Sequence, residues 1–248
     1  MSEKKLKIEL NKIFKNLKIK KNDKVFMHSN SAGILQYYNN KKSFNIFWKF
    51  LNKKIGPKGC VIFPAYNYSN LKKKTINIEK CKSEVGALSN FMINKKSIFR
   101  TKNPVFSHLI YGSLKKKLLN SNNYTAFDID NNFFQKILDE KFKIIGFCCP
   151  VNKITLIHYL EAKNKVKYRF NKIFKIKINN KKINYTYRVG KKKLDYDLKE
   201  KNIRDLLMGS KNFKTINFGR FECWTITATA LETIINKNIK KKENCLII

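Results

Sequence analysis

The sequence predicts a single α/β domain built on a mixed central sheet. Three observations predict it: short apolar runs of strand length, amphipathic stretches of helix length between them, and a strand–helix–strand order near the N-terminus. At 248 residues, 43% of them hydrophobic, the chain can bury one large core.

From Lys4 to about Leu17, residues Leu6, Leu10, Ile13, Phe14 and Leu17 fall on one helical stripe. Val25-Phe26-Met27-His28 reads as a short buried strand that runs into the small polar turn Ser29-Asn30-Ser31-Ala32-Gly33. Phe44 to Ile55 reads as a helix with Ser43 as its N-cap and Gly56-Pro57-Lys58-Gly59 as its stop, before the strand Cys60-Val61-Ile62-Phe63. This order predicts a crossover unit. Ser83 is placed to cap a helix beginning Glu84-Val85-Gly86-Ala87-Leu88, and Asp130 to cap another through Phe133, Phe134, Ile137 and Leu138. Phe142 to Phe147 is a continuous apolar strand, Pro150 breaks the chain, and Ile154 to Lys163 resumes as a helix. Residues 172–189 alternate as a polar hairpin with its turn at Asn179-Asn180-Lys181. The strand Thr215-Ile216-Asn217-Phe218, then Gly219, precedes a last helix from about Thr225 to Ile235.

Composition narrows the function. There is no apolar run of about 18 residues, and Met1-Ser2-Glu3-Lys4-Lys5 lacks a signal-peptide core, so the expectation is a cytoplasmic protein without membrane insertion. Cys60, Cys81, Cys148, Cys149, Cys223 and Cys245 follow no metal-ligand spacing; reduced thiols and no metal are expected. The formal net charge of +37 raises a non-enzymatic nucleic-acid-binding protein as an alternative of another class. Against it, the charge is mostly lysine spread along the whole chain, and arginine stands only at Arg100, Arg169, Arg188, Arg204 and Arg220. The aromatic residues also follow core spacing, as in Phe44, Phe47 and Trp48. A solvated lysine coat that attracts small anions is the preferred reading.

Chemistry-bearing residues stand at breaks in regular structure. On a helix, His158 shares a face with Thr155 and Glu161, and a carboxylate beside an imidazole fixes its tautomer and raises its basicity, as a general base needs. The same spacing also fits a merely structural pair. His28-Ser29-Asn30-Ser31 lies where a buried strand gives out onto a small loop, the place where open α/β sheets bind ligands. Arg100 and Ser107 flank Asn103-Pro104 in an irregular stretch and read equally as a structural loop.

Taken in order, these segments resemble the aminoglycoside 3-N-acetyltransferase family, also called antibiotic N-acetyltransferases. The family pattern has a strand ending His-Ser-Ser, here His28-Ser29-Asn30; a Gly-x-x-Gly turn before a strand closing on proline, here Gly56 to Pro64-Ala65-Tyr66; and a Val-Gly-x-Leu helix, here Val85 to Leu88. It continues with Arg-Ser-x-His-Pro-x-x-Ser, here Arg100 to Ser107, and Thr-x-x-His-x-x-Glu, here Thr155, His158 and Glu161, followed by Tyr168-Arg169. The blocks span roughly residues 20–175. Asn30 departs from the second serine and Asn103 from the histidine before proline.

The resemblance implies a three-layer α/β fold, acetyl-CoA as co-substrate and direct transfer to an amine with no metal. It implies His158 as the base, supported by Glu161 or Glu84. His28, Ser29, Asn30, Ser31, Arg100 and Ser107 would lie on the cofactor side, with Tyr66 and Thr155 toward the substrate. One acetyltransferase domain over residues 1–248 is expected, with 172–215 as an acceptor-side subregion. The partner expected is a small amino sugar, with no specific nucleic acid, and a homodimer is left open. With 17 acidic residues against 54 basic ones, a nucleotide-linked amino sugar of surface glycan synthesis suits the field better than a polycationic aminoglycoside. Aminoglycoside resistance is the second reading.

Overall fold

The computed structural model describes residues 3–36, 41–73, 75–121, 124–127, 132–191 and 197–247. In the N-terminal half, helix α1 (Glu3–Asn16) leads into strand β1 (Lys24–Ser29), the short helix α2 (Ser31–Leu35), helix α3 (Lys41–Ile55) and strand β2 (Cys60–Pro64). Helix α4 (Ala87–Ile93) precedes strands β3 (Phe99–Arg100) and β4 (His108–Gly112), then helices α5 (Lys115–Leu119) and α6 (Phe133–Asp139). Strand β5 (Lys143–Phe147) is followed by helix α7 (Leu156–Lys163), and strands β6 (Arg169–Ile178) and β7 (Lys181–Gly190) form a separate hairpin. Helix α8 (Glu200–Met208), strands β8 (Lys214–Phe218) and β9 (Phe221–Thr227), and helix α9 (Ala228–Lys241) complete the chain.

Seven strands form one mixed sheet in the order β3-β4-β2-β1-β5-β9-β8. β1 runs parallel to both β2 and β5, whereas β4 and β9 are antiparallel to their inner neighbours. The three central strands are buried on both faces, which explains their continuous apolar runs. Their side chains alternate between two cores. Val25, Met27, Val61, Phe63, Ile145 and Phe147 pack under α1, α3 and α4, while Phe26, Ile62 and Ile144 face α6, α7 and α9. The result is the three-layer α/β arrangement.

The crossover from β1 to β2 has the predicted parallel sense. Several boundaries differ from those the sequence predicts. α3 begins at Lys41, so Ser43 is fully buried inside the helix and is not its cap. Ser83 Oγ accepts from Val85 N at 3.1 Å, which makes a turn ahead of α4; the helix starts only at Ala87 because Gly86 takes φ +107°, outside helical space. Asp130 lies outside the described residues, and α6 is capped by Asn132, whose Oδ1 accepts from Phe134 N at 2.7 Å. A 3-10 turn at Val151–Lys153 precedes α7. Lys181 pairs with Ile178 as strand, leaving a two-residue turn of Asn179 and Asn180, both at positive φ. Thr225 is strand rather than helix. Ile226 pairs with Ile144 in β5, and α9 starts at Ala228 with Thr227 Oγ1 accepting from Ala230 N.

Candidate active site

Because β1, β2 and β5 are parallel, their carboxyl ends at Ser29, Pro64 and Phe147 emerge on one edge of the sheet. The loops leaving them enclose a cavity of about 560 Å³, lined by His28 to Ser31, Tyr66, Val85 to Ala87, Cys149, Lys153 and Thr155, among others. That is within the roughly 300–1,000 Å³ of small-ligand sites. Ser29, Ser31, Gly86, Ala87 and Ser89 make part of the wall small, opposite larger residues such as Tyr66 and Tyr68, and the turns that carry it are pinned. Asn30 Oδ1 accepts from Ala32 N at 3.0 Å, so the asparagine that departs from the family serine caps α2. Ser31 Oγ accepts from Leu88 N at 3.1 Å and joins this loop to α4. After β5, Cys148 takes φ +58°, Trp224 Nε1 donates to Cys149 O at 2.5 Å, and Gly33 packs so closely that a Cβ there would meet Cys148 Sγ at 2.1 Å.

The turn after β5 delivers the chain into α7, which carries Thr155 at its start and His158 one turn on. His158 Nδ1 lies 2.6 Å from Glu161 Oε2. A carboxylate only accepts hydrogen bonds, so Nδ1 carries the proton and Nε2 presents its lone pair. The imidazole is 30% exposed, while Glu161 is wholly buried. Burying a carboxylate costs several kcal/mol unless its oxygens are matched. Here they are: Tyr168 OH donates to Oε1 at 2.8 Å, and Arg169 Nε lies 2.8 Å from Oε2. Burial acts to raise the Glu161 pKa, but His158, Arg169 and the Tyr168 hydroxyl outweigh it and hold it below the ordinary carboxylate value. The arrangement holds one imidazole in one tautomer with an accessible basic nitrogen.

Two further histidines lie deeper. His28 is 4% exposed, its Nε2 is buried with no hydrogen-bond partner, and burial pushes its pKa down to about 3. His108 stacks on Phe133 at 3.9 Å, and its Nε2 is 3.1 Å from Tyr66 OH; burial, with His28 nearby, holds its pKa well below the usual histidine range. Both rings are therefore neutral at pH 7, and neither contacts Glu161. The volume of about 560 Å³, the buried His28 ring and the small Ser29, Ser31, Gly86 and Ala87 along the wall are compatible with a thioester arm.

The aminoglycoside 3-N-acetyltransferase family model matches residues 27–240. The chain belongs to this family. As a member it is a CoA-dependent N-acetyltransferase with acetyl-CoA as co-substrate. Similar solved structures include the aminoglycoside acetyltransferase AAC(3)-IVa apoenzyme, at TM-score 0.79 and 14% identity over 98% of this chain and 91% of that one. The YokD protein from Bacillus subtilis matches at TM-score 0.76 and 14% identity, over 96% and 94%. AAC-IIIb, solved as a binary complex with CoASH, matches at TM-score 0.76 and 14% identity, over 98% and 97%. At such identities the likeness is one of fold. No curated protein matches the sequence.

Within this acetyltransferase, the predicted residues separate into groups. His158 and Glu161 meet, whereas Glu84 lies elsewhere, exposed and accepting from Tyr68 N at 2.9 Å and Ser69 N at 3.3 Å. His28, Ser29, Asn30, Ser31, Tyr66 and Thr155 all line the 560 Å³ cavity. Arg100 and Ser107 do not. Arg100 spends its guanidinium on Ser107 Oγ and on the carbonyls of Ile78, Cys81 and Ala65, and Ser107 Oγ donates to Ala65 O at 2.7 Å. They brace the segment that presents Tyr66. Asn103, at the family histidine position, accepts from Val105 N, Phe106 N and Tyr185 OH and donates to Thr125 O. Sequence reasoning gave no role to Tyr168, Arg169, Cys149 or Lys153. Cys149 and Lys153 were findable as residues just beyond a buried strand, while Tyr168-Arg169 stood in the family pattern without a role, which the turn from α7 into β6 gives them by bringing both onto Glu161.

Proposed function

We propose that the protein transfers the acetyl group of acetyl-CoA to the amine of a nucleotide-linked amino sugar, in the cytoplasm, for surface glycan synthesis. The observation that carries the mechanism is the 2.6 Å contact between His158 Nδ1 and the buried Glu161. In this reading, Nε2 of His158 takes a proton from the acceptor amine as its nitrogen bonds to the thioester carbon. The C–S bond then breaks and the proton returns to the departing sulfur. Glu161, anchored by Tyr168 and Arg169, is the positioning residue that holds the imidazole through both transfers. The loop from His28 to Ser31 lies along the thioester, with Tyr66 and Thr155 at the acceptor end. Holding both reactants beside one fixed base supplies much of the rate by proximity alone. Arg100 and Ser107 support the cofactor side by bracing Ala65. The whole chain acts as one domain, with residues 172–215 shaping the acceptor side.

The acceptor class is argued from charge: 17 acidic residues stand against 54 basic ones. The family's name, and neighbours such as sisomicin-bound AAC-VIa, favour aminoglycoside acetylation as a second reading. Purified protein with acetyl-CoA and a panel of nucleotide amino sugars and aminoglycosides separates the two by thiol release. Release with nucleotide amino sugars supports the first; release with aminoglycosides alone overturns it.

A further inference from the structure

A second recess, of about 210 Å³, adjoins His158. Two of its lining residues place it there. The Phe127 ring is 5.6 Å from the imidazole, and Ala162 follows His158 by one turn on the same face of α7. Its polar lining is Thr125, Asn171, Thr186, Lys165 and Arg188. Asn171 and Arg188 are opposite partners across the β6–β7 hairpin, so both project from one face of it. Thr186 follows on that face, and its carbonyl accepts from Ala126 N at 3.0 Å, which fixes the recess wall.

The charge of this recess is one-sided. Among the described residues no carboxylate lines it. Glu161, close enough to act on Arg188, is already matched by His158 and Arg169. Arg188 donates from one terminal nitrogen to Val166 O at 2.7 Å, and its Nε is buried with no hydrogen-bond partner. A guanidinium offers five N–H donors in a planar fork suited to oxyanions. Lys165, held in a left-handed turn at φ +54° where α7 ends, adds a second cation at the rim.

We propose that this recess is an anion subsite for the acceptor, in which Arg188 and Lys165, with Asn171, hold a phosphate or carboxylate of the amino sugar while its amine meets His158. This rests on the acetyl-transfer reading above and deepens it. A phosphate could reach the recess from the acceptor or from CoA itself, so the test distinguishes the two.

The probe is glucose 1-phosphate, which carries the anion but no amine and so cannot react. Its binding is measured by calorimetry to the wild-type protein saturated with CoA, and to Lys165→Gln, Arg188→Gln and His158→Ala. Binding should persist with CoA present, weaken roughly ten- to hundredfold in Arg188→Gln and weaken about threefold in the exposed Lys165→Gln. His158→Ala should bind as the wild type does. If Arg188→Gln fails to fold, Lys165→Gln decides. Displacement of the probe by CoA would assign the anion to the donor and overturn the proposal. So would absent wild-type binding, or unchanged binding in the variants. Thiol release with the panel of nucleotide amino sugars and aminoglycosides, run in parallel, keeps the two readings apart: transfer without probe binding sinks the subsite alone, and probe binding without transfer to any amine of the panel sinks the mechanism alone.

Discussion

Glu161→Gln isolates charge from shape. The native carboxylate is wholly buried and touches His158 Nδ1 at 2.6 Å, Tyr168 OH at 2.8 Å and Arg169 Nε at 2.8 Å. Glutamine fills the same volume but leaves the Arg169 guanidinium, 8% exposed, without its counter-charge. Breaking a buried pair on one side costs about 3 kcal/mol at the low end of measured cases. For a chain of this size each kcal/mol moves the melting temperature by roughly 2–4 °C, so the variant should melt roughly 6–12 °C lower at pH 7. The Glu161 pKa is held below its ordinary 4.5. Its charge therefore adds stability that is fully present above about pH 4.5 and is lost as pH falls through the folded-state value. The melting gap between wild type and variant should accordingly be full at pH 7 and shrink below about pH 4.5. In catalysis, an amide nitrogen beside Nδ1 can donate to it, which puts the ring proton on Nε2 and removes the base. Turnover by thiol release should then fall about 10²–10⁴-fold. A variant that melts within about 2 °C of wild type and keeps a third of its turnover would refute both the buried-charge account and the positioning role.

Four further substitutions probe other links. His158→Ala should lose about 10²–10⁴ in turnover and melt roughly 2–6 °C lower, less than Glu161→Gln, because it removes one partner of the buried Glu161 carboxylate; unchanged turnover with the same melting loss would mark the ring as structural. Glu84→Gln should leave turnover unchanged and cost less than about 0.5 kcal/mol, since an amide oxygen can still accept from Tyr68 N and Ser69 N; a hundredfold drop in kcat would return Glu84 to the catalytic centre. Asn103→His, which installs the residue of the family pattern, should cost about 2–3 kcal/mol in urea unfolding without raising activity, because it strips four hydrogen bonds, three of them buried. Gly33→Ala should cost about 1–3 kcal/mol and raise KM for acetyl-CoA, as its Cβ would push Cys148 and the turn behind the cavity.

The central strands were legible because both of their faces are buried, so hydrophobicity alone marks Val25 to His28 and Phe142 to Phe147. Helix starts were less legible, since a cap is a hydrogen bond and not a residue type. Ser43 and Ser83 have the composition of caps, but the first lies inside a helix and the second bonds to Val85 N. β9 was missed for another reason: Cys223-Trp224-Thr225-Ile226 suits a strand, but the helical residues beyond it drew the predicted boundary back by three positions. Its pairing with β8 and with β5, the latter 81 residues away in the Ile144–Thr225 contact, fixes that segment as extended. The site divides in the same way. The His158–Glu161 spacing is local and readable, whereas the anchoring of Glu161 by Tyr168 and Arg169 depends on the turn from α7 into β6. Arg100 shows the converse: the family resemblance put it on the cofactor side, and burial turned it onto three backbone carbonyls.

Net charge was the weakest of the sequence arguments, because charges beyond about 8 Å are largely screened at physiological salt. Most of the lysines therefore cannot influence an acceptor beside His158. The described surface also shows its acids dispersed among them: Glu140 pairs with Lys24 and Lys117, Asp23 with Lys143, and Glu232 with Lys163. What bears on the acceptor is the lining within reach. There Lys165 and Arg188 stand with no carboxylate among the described residues, and the one buried acid, Glu161, is committed to His158, Tyr168 and Arg169. A polycation would have to enter that recess against Arg188, at up to roughly 4 kcal/mol for a unit charge brought to about 4 Å at an effective dielectric near 20, with a smaller, solvent-screened repulsion from the exposed Lys165. An anion would gain by the same interaction. The preference for an anionic amino sugar thus rests on two cations lining the recess that adjoins His158 through Phe127, and reversing one of them, with Lys165→Glu, should weaken anionic acceptors and favour cationic ones in the same thiol-release assay.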